Sequence, residues 1–285
     1  MSKTTSLFVA VIIIAVILLP GVPPAHSSEY PVTPIDVPGA IWTKASGIND
    51  DGTIVGTYGD KTGTHGFLYD GISHTPLDVP GSVETSARGI NDRGEIVGSY
   101  RNGSGTHGFL YDGTTYTTFD IPGAALTTAD GINNNGKIVG EYKDGSGSHG
   151  FISDGAFHTT LDVSGATWTT ASGINDDGTV VGTYQDDTGI HGYLYDGATF
   201  TTLHVPGADF TRAFGINNLG QPVGFSDVAG IDRGFWAEVD DFSPIDIPGG
   251  AYIAVRGINN RGNIVGDYVD EDGNHGFLAS IASGP

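Results

Sequence analysis

The chain of 285 residues contains no cysteine, so neither disulfides nor thiolate chemistry is open to it. Positive charge is scarce: 12 Lys and Arg stand against 33 Asp and Glu, for a formal net charge of −21. Nucleic acid is gripped through clustered Lys and Arg, so this balance argues against a nucleic-acid partner. No stretch carries a 3.6-residue apolar period long enough for a helix. The sequence also lacks His-Glu-x-x-His, Gly-x-Ser-x-Gly and any glycine-rich phosphate loop opening a helix. No catalytic residue is therefore assigned. The one long apolar run, Leu7 to Leu19, falls short of the roughly 18 residues that span a bilayer. Lys3 precedes it, Pro20 ends it, and Ala25-His26-Ser27 supplies small residues for cleavage. Residues 1–27 read as a signal peptide, leaving 28–285 as a secreted chain, extracellular or periplasmic, with no stable membrane insertion after cleavage.

What the chain does have is a repeat. Ile35-Asp36-Val37-Pro38-Gly39 returns at Leu77–Gly81, Phe119–Gly123, Leu161–Gly165, Leu203–Gly207 and Ile245–Gly249. Gly47-Ile48-Asn49-Asp50-Asp51-Gly52 keeps the same step of 42 residues through Gly89, Gly131, Gly173, Gly215 and Gly257. An unchanging period means that each copy occupies an equivalent place in the fold.

Each copy reads as four short strands separated by turn chemistry. In the second these are Ala87–Asn91, Glu95–Tyr100, His107–Asp112 and Thr115–Ile121. Pairs such as Ile96-Val97 and Phe109-Leu110 put apolar groups on both faces, as a sheet between two neighbours requires. Radially arranged four-stranded sheets of this length are propeller blades. Glycines inside strands, at Gly98, Gly140 and Gly182, are expected where blades converge on the axis. The last copy ends after Gly276-Phe277-Leu278-Ala279-Ser280 without a fourth strand, and Pro31–Val37 supplies one at the other terminus. The expectation is an all-β, six-bladed β-propeller over 28–285, closed by the N-terminal strand completing the last blade. An open solenoid would show capping repeats instead.

At the strings Gly173-Ile174-Asn175 to Gly178, Val180-Val181-Gly182 and His191-Gly192-Tyr193, the chain resembles the HAF-repeat family of exported bacterial proteins. Gly replaces the middle Ala of that motif throughout, as in His65-Gly66-Phe67 and His149-Gly150-Phe151. The resemblance spans nearly all of 30–280. It implies secretion and propeller-like repeats, and it brings no catalytic residues.

The candidate chemistry lies where copies differ or where polar groups recur. His65, His107, His149, His191 and His275 open the third strands. Propeller symmetry holds them apart, so the expected role is bonding a loop carbonyl or the Asp of the Leu-Asp-Val string, not metal ligation. The fifth copy departs most: His204 replaces that Asp, Arg233 replaces the His, Pro222 falls in a strand and Asp240-Asp241 replaces Asp-Gly. Asp270-Glu271-Asp272-Gly273-Asn274 and Asp186-Asp187-Thr188-Gly189 resemble calcium loops weakly, lacking the full ligand spacing. No cofactor is expected.

The third residue after each Pro-Gly is Trp42, Glu84, Leu126, Trp168, Phe210 and Tyr252, in what reads as a loop entering the innermost strand. Two residues into that strand stand Ser46, Arg88, Asp130, Ser172, Phe214 and Arg256. Aromatics there either stack on a ligand, with Arg88, Asp130 and Arg256 orienting it, or wedge between blades as core. Trp42, Glu84, Arg88, Asp130, Trp168, Phe210, Tyr252 and Arg256 are accordingly the candidate ligand-binding residues. The sequence supports a secreted, non-enzymatic, monomeric module that binds an extracellular glycan or protein. A glycan hydrolase or lyase using carboxylates such as Glu84, Asp130 and Asp209, and a purely structural surface protein, are the alternatives.

Overall fold

The computed structural model describes residues 30–238 and 241–281. The signal-peptide segment and Asp240 lie outside them. The described residues contain strands and no helix, and hence no helix long and apolar enough to cross a membrane. Strands fall into antiparallel groups of four. The first group is Trp42–Ile48, Ile54–Gly59, Thr64–Tyr69 and His74–Leu77, called here the inner, second, third and outer strands. The inner strands of the later units are Glu84–Ile90, Leu126–Ile132, Trp168–Ile174, Phe210–Ile216 and Tyr252–Ile258. Each begins three residues ahead of the stretch expected from sequence, so position 42 and its equivalents open a strand rather than sit in a loop. Pro222 is the first residue of its strand, where a missing N–H costs little.

Apolar residues on both faces are explained by where the cores lie. Each buried cluster straddles two units: Val55, Leu77 and Val79 of the first pack on Ala87, Ile90, Ile96 and Phe109 of the second. The same seam joins the sixth unit to the first, through Val265, Ile35, Ala45, Ile48, Ile54 and Phe67. Inner strands touch in succession, and the sixth touches the first. Single parallel bridges, Thr64↔Glu84 and Thr106↔Leu126, link third strands to the next inner strand, and Asn274↔Trp42 repeats that link from the sixth unit.

The outer strand of the sixth unit comes from the amino end. Thr33 and Pro34 face Leu278 and Phe277, and the Ile35 N–H donates to the Gly276 carbonyl at 2.8 Å. This is the register of the first unit, where Phe67 faces Pro76 and Gly66 faces Leu77.

Where the inner strands approach, glycine is obligatory. A Cβ on Gly47 would stand 2.8 Å from the Arg88 carbonyl oxygen and 3.3 Å from the Gly89 Cα. The strand glycines singled out from sequence do something else. A Cβ on Gly98 would meet the Ser86 carbonyl at 2.0 Å and the Phe109 ring at 2.7 Å, both within its own unit. Gly98, Gly140 and Gly182 therefore make room for an aromatic ring and a bulged inner strand, not for convergence on the axis.

The third-strand histidines tie the outer strand to a loop. His65 Nδ1 lies 2.9 Å from Asp78, His107 2.8 Å from Asp120, His149 2.8 Å from Asp162 and His275 2.8 Å from Asp36. The partner is 13 residues on in each contiguous unit, so His204 and Arg233, although in one sequence copy, belong to different units of the fold. His204 sits against His191 in the fourth unit, with ring centroids 5.3 Å apart, and Arg233 faces Asp246 in the fifth at 3.7 Å.

This packing can be tested at two side chains. Tyr193 occupies the site that Phe67, Phe109, Phe151, Phe235 and Phe277 fill elsewhere, and its hydroxyl is buried without a hydrogen-bond partner. Burial raises its pKa, so it stays neutral and unsatisfied. Tyr193→Phe should stabilise by about 1 kcal/mol, read as a higher denaturation midpoint; a lower midpoint would show a partner to that hydroxyl. His275 is pushed above its ordinary pKa by its hydrogen bond to Asp36, with the charges of Asp36 and Asp270 adding and burial opposing. A raised folded value means the contribution is complete below the unfolded pKa of about 6.5 and fades as pH rises through the folded one. The melting deficit of His275→Asn should thus be larger at acidic than at alkaline pH. A deficit independent of pH would contradict the pairing.

Candidate functional site

The two ends of the inner strands are built differently. At one end each repeat's Asn points into its own turn: Asn49 Oδ1 accepts from the Thr53 N–H at 2.9 Å, while Nδ2 donates to the Asn91 carbonyl at 3.3 Å. Beyond it lies a small cavity of about 90 Å³, rimmed by Asp50, Asp92, Asn134, Asp176, Asn218 and Asn260. Their side chains are consumed by one another. Asp92 accepts from the Asp50 N–H and from Asn134 Nδ2, and Asp50 from the Asn260 N–H and Nδ2. This end is a polar seal.

The opposite end holds a larger cavity of about 250 Å³, lined by Trp42, Lys44, Ser46, Thr57, Thr64, Ser86, Arg88 and Arg256. Strand alternation places these groups. In Trp42–Ile48, Thr43, Ala45 and Gly47 are buried while Trp42, Lys44 and Ser46 stay partly exposed. A register shift between Ala45 and Gly47 leaves Ser46 as the extra residue of a β-bulge. The same shift leaves Arg88, Asp130, Ser172, Phe214 and Arg256 unpaired in the other units. Bulges re-aim side chains and are frequent beside functional sites.

The candidate residues from sequence divide into three groups. Trp42, Arg88 and Arg256 share the cavity. Asp130 stands behind Arg88, its Oδ1 3.2 Å from Nη1, and burial raises its pKa against the pull of Arg88 and a bond from Thr128. Arg256 is buried. Burial opposes its charge, but the carboxylate of Asp267, bonded to its Nε, outweighs that penalty. Of the remaining members, Tyr252 adjoins Arg256, and none lines the cavity. Glu84 is taken by Arg101, whose Nε donates to Oε2 at 3.0 Å. Phe210 and Tyr252 pack edge-on against Phe225, at 5.4 and 5.5 Å between centroids. Trp168 donates to Gln185 at 2.6 Å, with Arg212 6.0 Å from its ring. A single composite rim of six positions is not what the geometry assembles. Position 42 and its equivalents are half-buried in all six units, neither fully exposed nor core.

Sequence reasoning passed over Lys44, Ser86 and Thr57. The signal was available: Lys44, Ser86, Thr128, Thr170, Arg212 and Ala254 occupy one repeat position and vary as freely as the positions two residues either side. The calcium-like loops use their carboxylates internally. Asp186 accepts from the Thr188 N–H and hydroxyl, and Asp270 from the N–H groups of Asp272 and Gly273. Among the described residues no three His, Asp or Glu side chains gather as a metal site.

No family model and no curated protein sequence matches the chain. Solved structures do. Virginiamycin B lyase from Staphylococcus aureus superposes with a TM-score of 0.52 at 11% identity, over 89% of this chain and 100% of that one. The Aleuria aurantia lectin, as a point mutant in complex with α-methyl-L-fucoside, gives 0.51 at 13% identity, over 87% and 95%. TolB from Acinetobacter baumannii gives 0.53 at 12% identity, over 78% of this chain and 60% of that one. At these identities the likeness concerns the fold, which is of β-propeller type.

Proposed function

We propose that the chain is a closed six-bladed β-propeller, secreted, whose open end binds an extracellular glycan without turning it over. Six units with one seam each, and the Asn274↔Trp42 and Asn259–Asn49 contacts between last and first, support closure. The resemblance to exported HAF-repeat proteins and the leader-like residues 1–27 support secretion. The observation that carries the binding reading is the cavity of about 250 Å³, where Trp42 meets Lys44, Arg88, Arg256 and the hydroxyls of Ser46 and Ser86. An aromatic face bordered by convergent donors suits a sugar ring, one side apolar and its edge rich in hydroxyls. The Aleuria aurantia lectin, seen with α-methyl-L-fucoside, lends the same architecture to the same kind of ligand. Because the cavity belongs to the first, second and sixth units alone, one site per chain is expected.

Asp130 favours a second reading. A buried carboxyl with a raised pKa, beside Arg88 and within the field of Glu141, is the kind of group that serves as a general acid in glycan cleavage.

Two experiments bear on these readings. Deleting residues 28–37 removes the outer strand of the sixth unit together with Ile35, and should cause aggregation or loss of a cooperative thermal transition. Parental melting in the truncated protein would sink the closed ring. For the site, Trp42→Ala should abolish glycan-array binding with little change in melting temperature, whereas Trp168→Ala, outside the cavity, should leave binding intact. A large melting deficit in Trp42→Ala would assign the ring to the framework. Turnover of an arrayed polysaccharide, lost in Asp130→Asn, would replace binding by catalysis.

A further inference from the structure

The charge of the cavity runs against the charge of the protein. The net charge is −21, yet four of the 12 Lys and Arg lie on inner strands: Lys44, Arg88, Arg212 and Arg256. Three of them line the one cavity, and no Asp or Glu shares its lining. Arg88 and Arg256 are held from behind by Asp130 and Asp267. A guanidinium carries five N–H donors in a rigid fork, so one carboxylate leaves others free to point forward. The Arg88 side chain is 43% exposed, which is consistent with that. Lys44 differs from both. It takes part in no ion pair among the described residues, and its ammonium lies 5.6 Å from the centre of the Trp42 ring.

Each arginine already faces a carboxyl group, Arg88 that of Asp130 and Arg256 that of Asp267, whereas Lys44 is the cation of this lining with no such partner among the described residues. Lys44 is partly exposed, and a cation with no carboxylate of the protein beside it is the group of this lining that a ligand anion can pair with most directly. We infer that the ligand is an acidic sugar, whose carboxylate is received by Lys44 and the forward N–H groups of Arg88 while its ring lies on Trp42. The inference deepens the glycan reading and rests on it.

The size of the acid is constrained as well. A long polyanion would meet the field of a strongly acidic surface on either side of the cavity, and that field opposes its approach. The cavity volume, about 250 Å³, falls below the roughly 300–1,000 Å³ usual for ligand pockets. The occupant is therefore one acidic residue at a chain end or on a branch.

The test is a fluorescence titration of the mature chain carrying Trp168→Phe and Trp236→Phe, so that Trp42 is its one tryptophan, with four probes: sodium glucuronate, its neutral methyl ester, glucose and sodium sulfate. Glucuronate should bind at least about tenfold more tightly than the ester, glucose or sulfate. Lys44→Met keeps the stem over Trp42 and removes the charge, and should erase that preference for the acid. Equal binding of acid, ester and glucose, unaffected by Lys44→Met, would overturn the acidic class and leave the glycan site standing. Sulfate binding as tightly as glucuronate would overturn the sugar and leave a simple anion pocket. Absence of a response to all four probes would overturn the acidic sugar, and glycan-array binding by the parent chain would then show whether the glycan reading falls with it.

Discussion

One buried amide per repeat holds the units at a common spacing. Each of Asn49, Asn91, Asn133, Asn175, Asn217 and Asn259 sits at 6% exposure or less, and each donates Nδ2 to the backbone carbonyl of the equivalent Asn in the next unit. An intact bond of this kind contributes only about 1 kcal/mol, but an orphaned buried amide costs about 1–3 kcal/mol, so no unit can drift from its neighbour. The spacing then dictates the residues beside it. Gly47 and its equivalents must lack a Cβ because the next strand's backbone is too near. Ile48 and its equivalents are buried at the inter-unit seams. Gly-Ile-Asn thus recurs for three separate physical reasons at three adjacent positions.

Pinning one end of the inner strands frees the other. Beyond Gly47 the bulge turns Ser46 and its equivalents out of the ladder, and no side-chain contact common to all six units constrains their identity, the Arg88–Asp130 pair belonging to one junction alone. This is the region in which residues differ from copy to copy. The repeat therefore separates framework from site along a single strand of seven residues, Trp42 to Ile48.

Much of this was legible in the sequence. The strand pattern, the four-strand units and the N-terminal strand in its register all follow from apolar spacing and turn residues. The bulge was not legible, because it appears only when the inner and second strands pair, and a period of two conceals an extra residue. Lys44 and Ser46 share a face by simple alternation, but only the folded units show that this face lines a cavity with Arg88 and Arg256. The strand-crossing partners were hidden for a related reason: Arg256–Asp267 and Trp168–Gln185 join residues 11 and 17 apart, at distances set by register. The histidines were correctly read as structural, but the frame of the repeat misled over His204, since sequence copies and folded units are offset.

Whether the buried charges serve the framework can be argued from the repeats themselves. The bulge residue and the nearby second-strand residue are Ser46 with Thr57, Arg88 with Ser99, Asp130 with Glu141, Ser172 with Thr183, Phe214 with Phe225, and Arg256 with Asp267. One backbone accommodates small hydroxyls, two stacked aromatics 5.6 Å apart, and an ion pair whose carboxylate is buried. A buried ion pair is seldom worth more to stability than apolar residues of similar volume, and often less. The fifth unit shows that the apolar solution fits this backbone. The framework thus has no need of Arg256 and Asp267. Both Arg256 and Arg88 reach the one cavity that also holds Lys44 and Trp42, so their charge is accounted for by what the cavity receives.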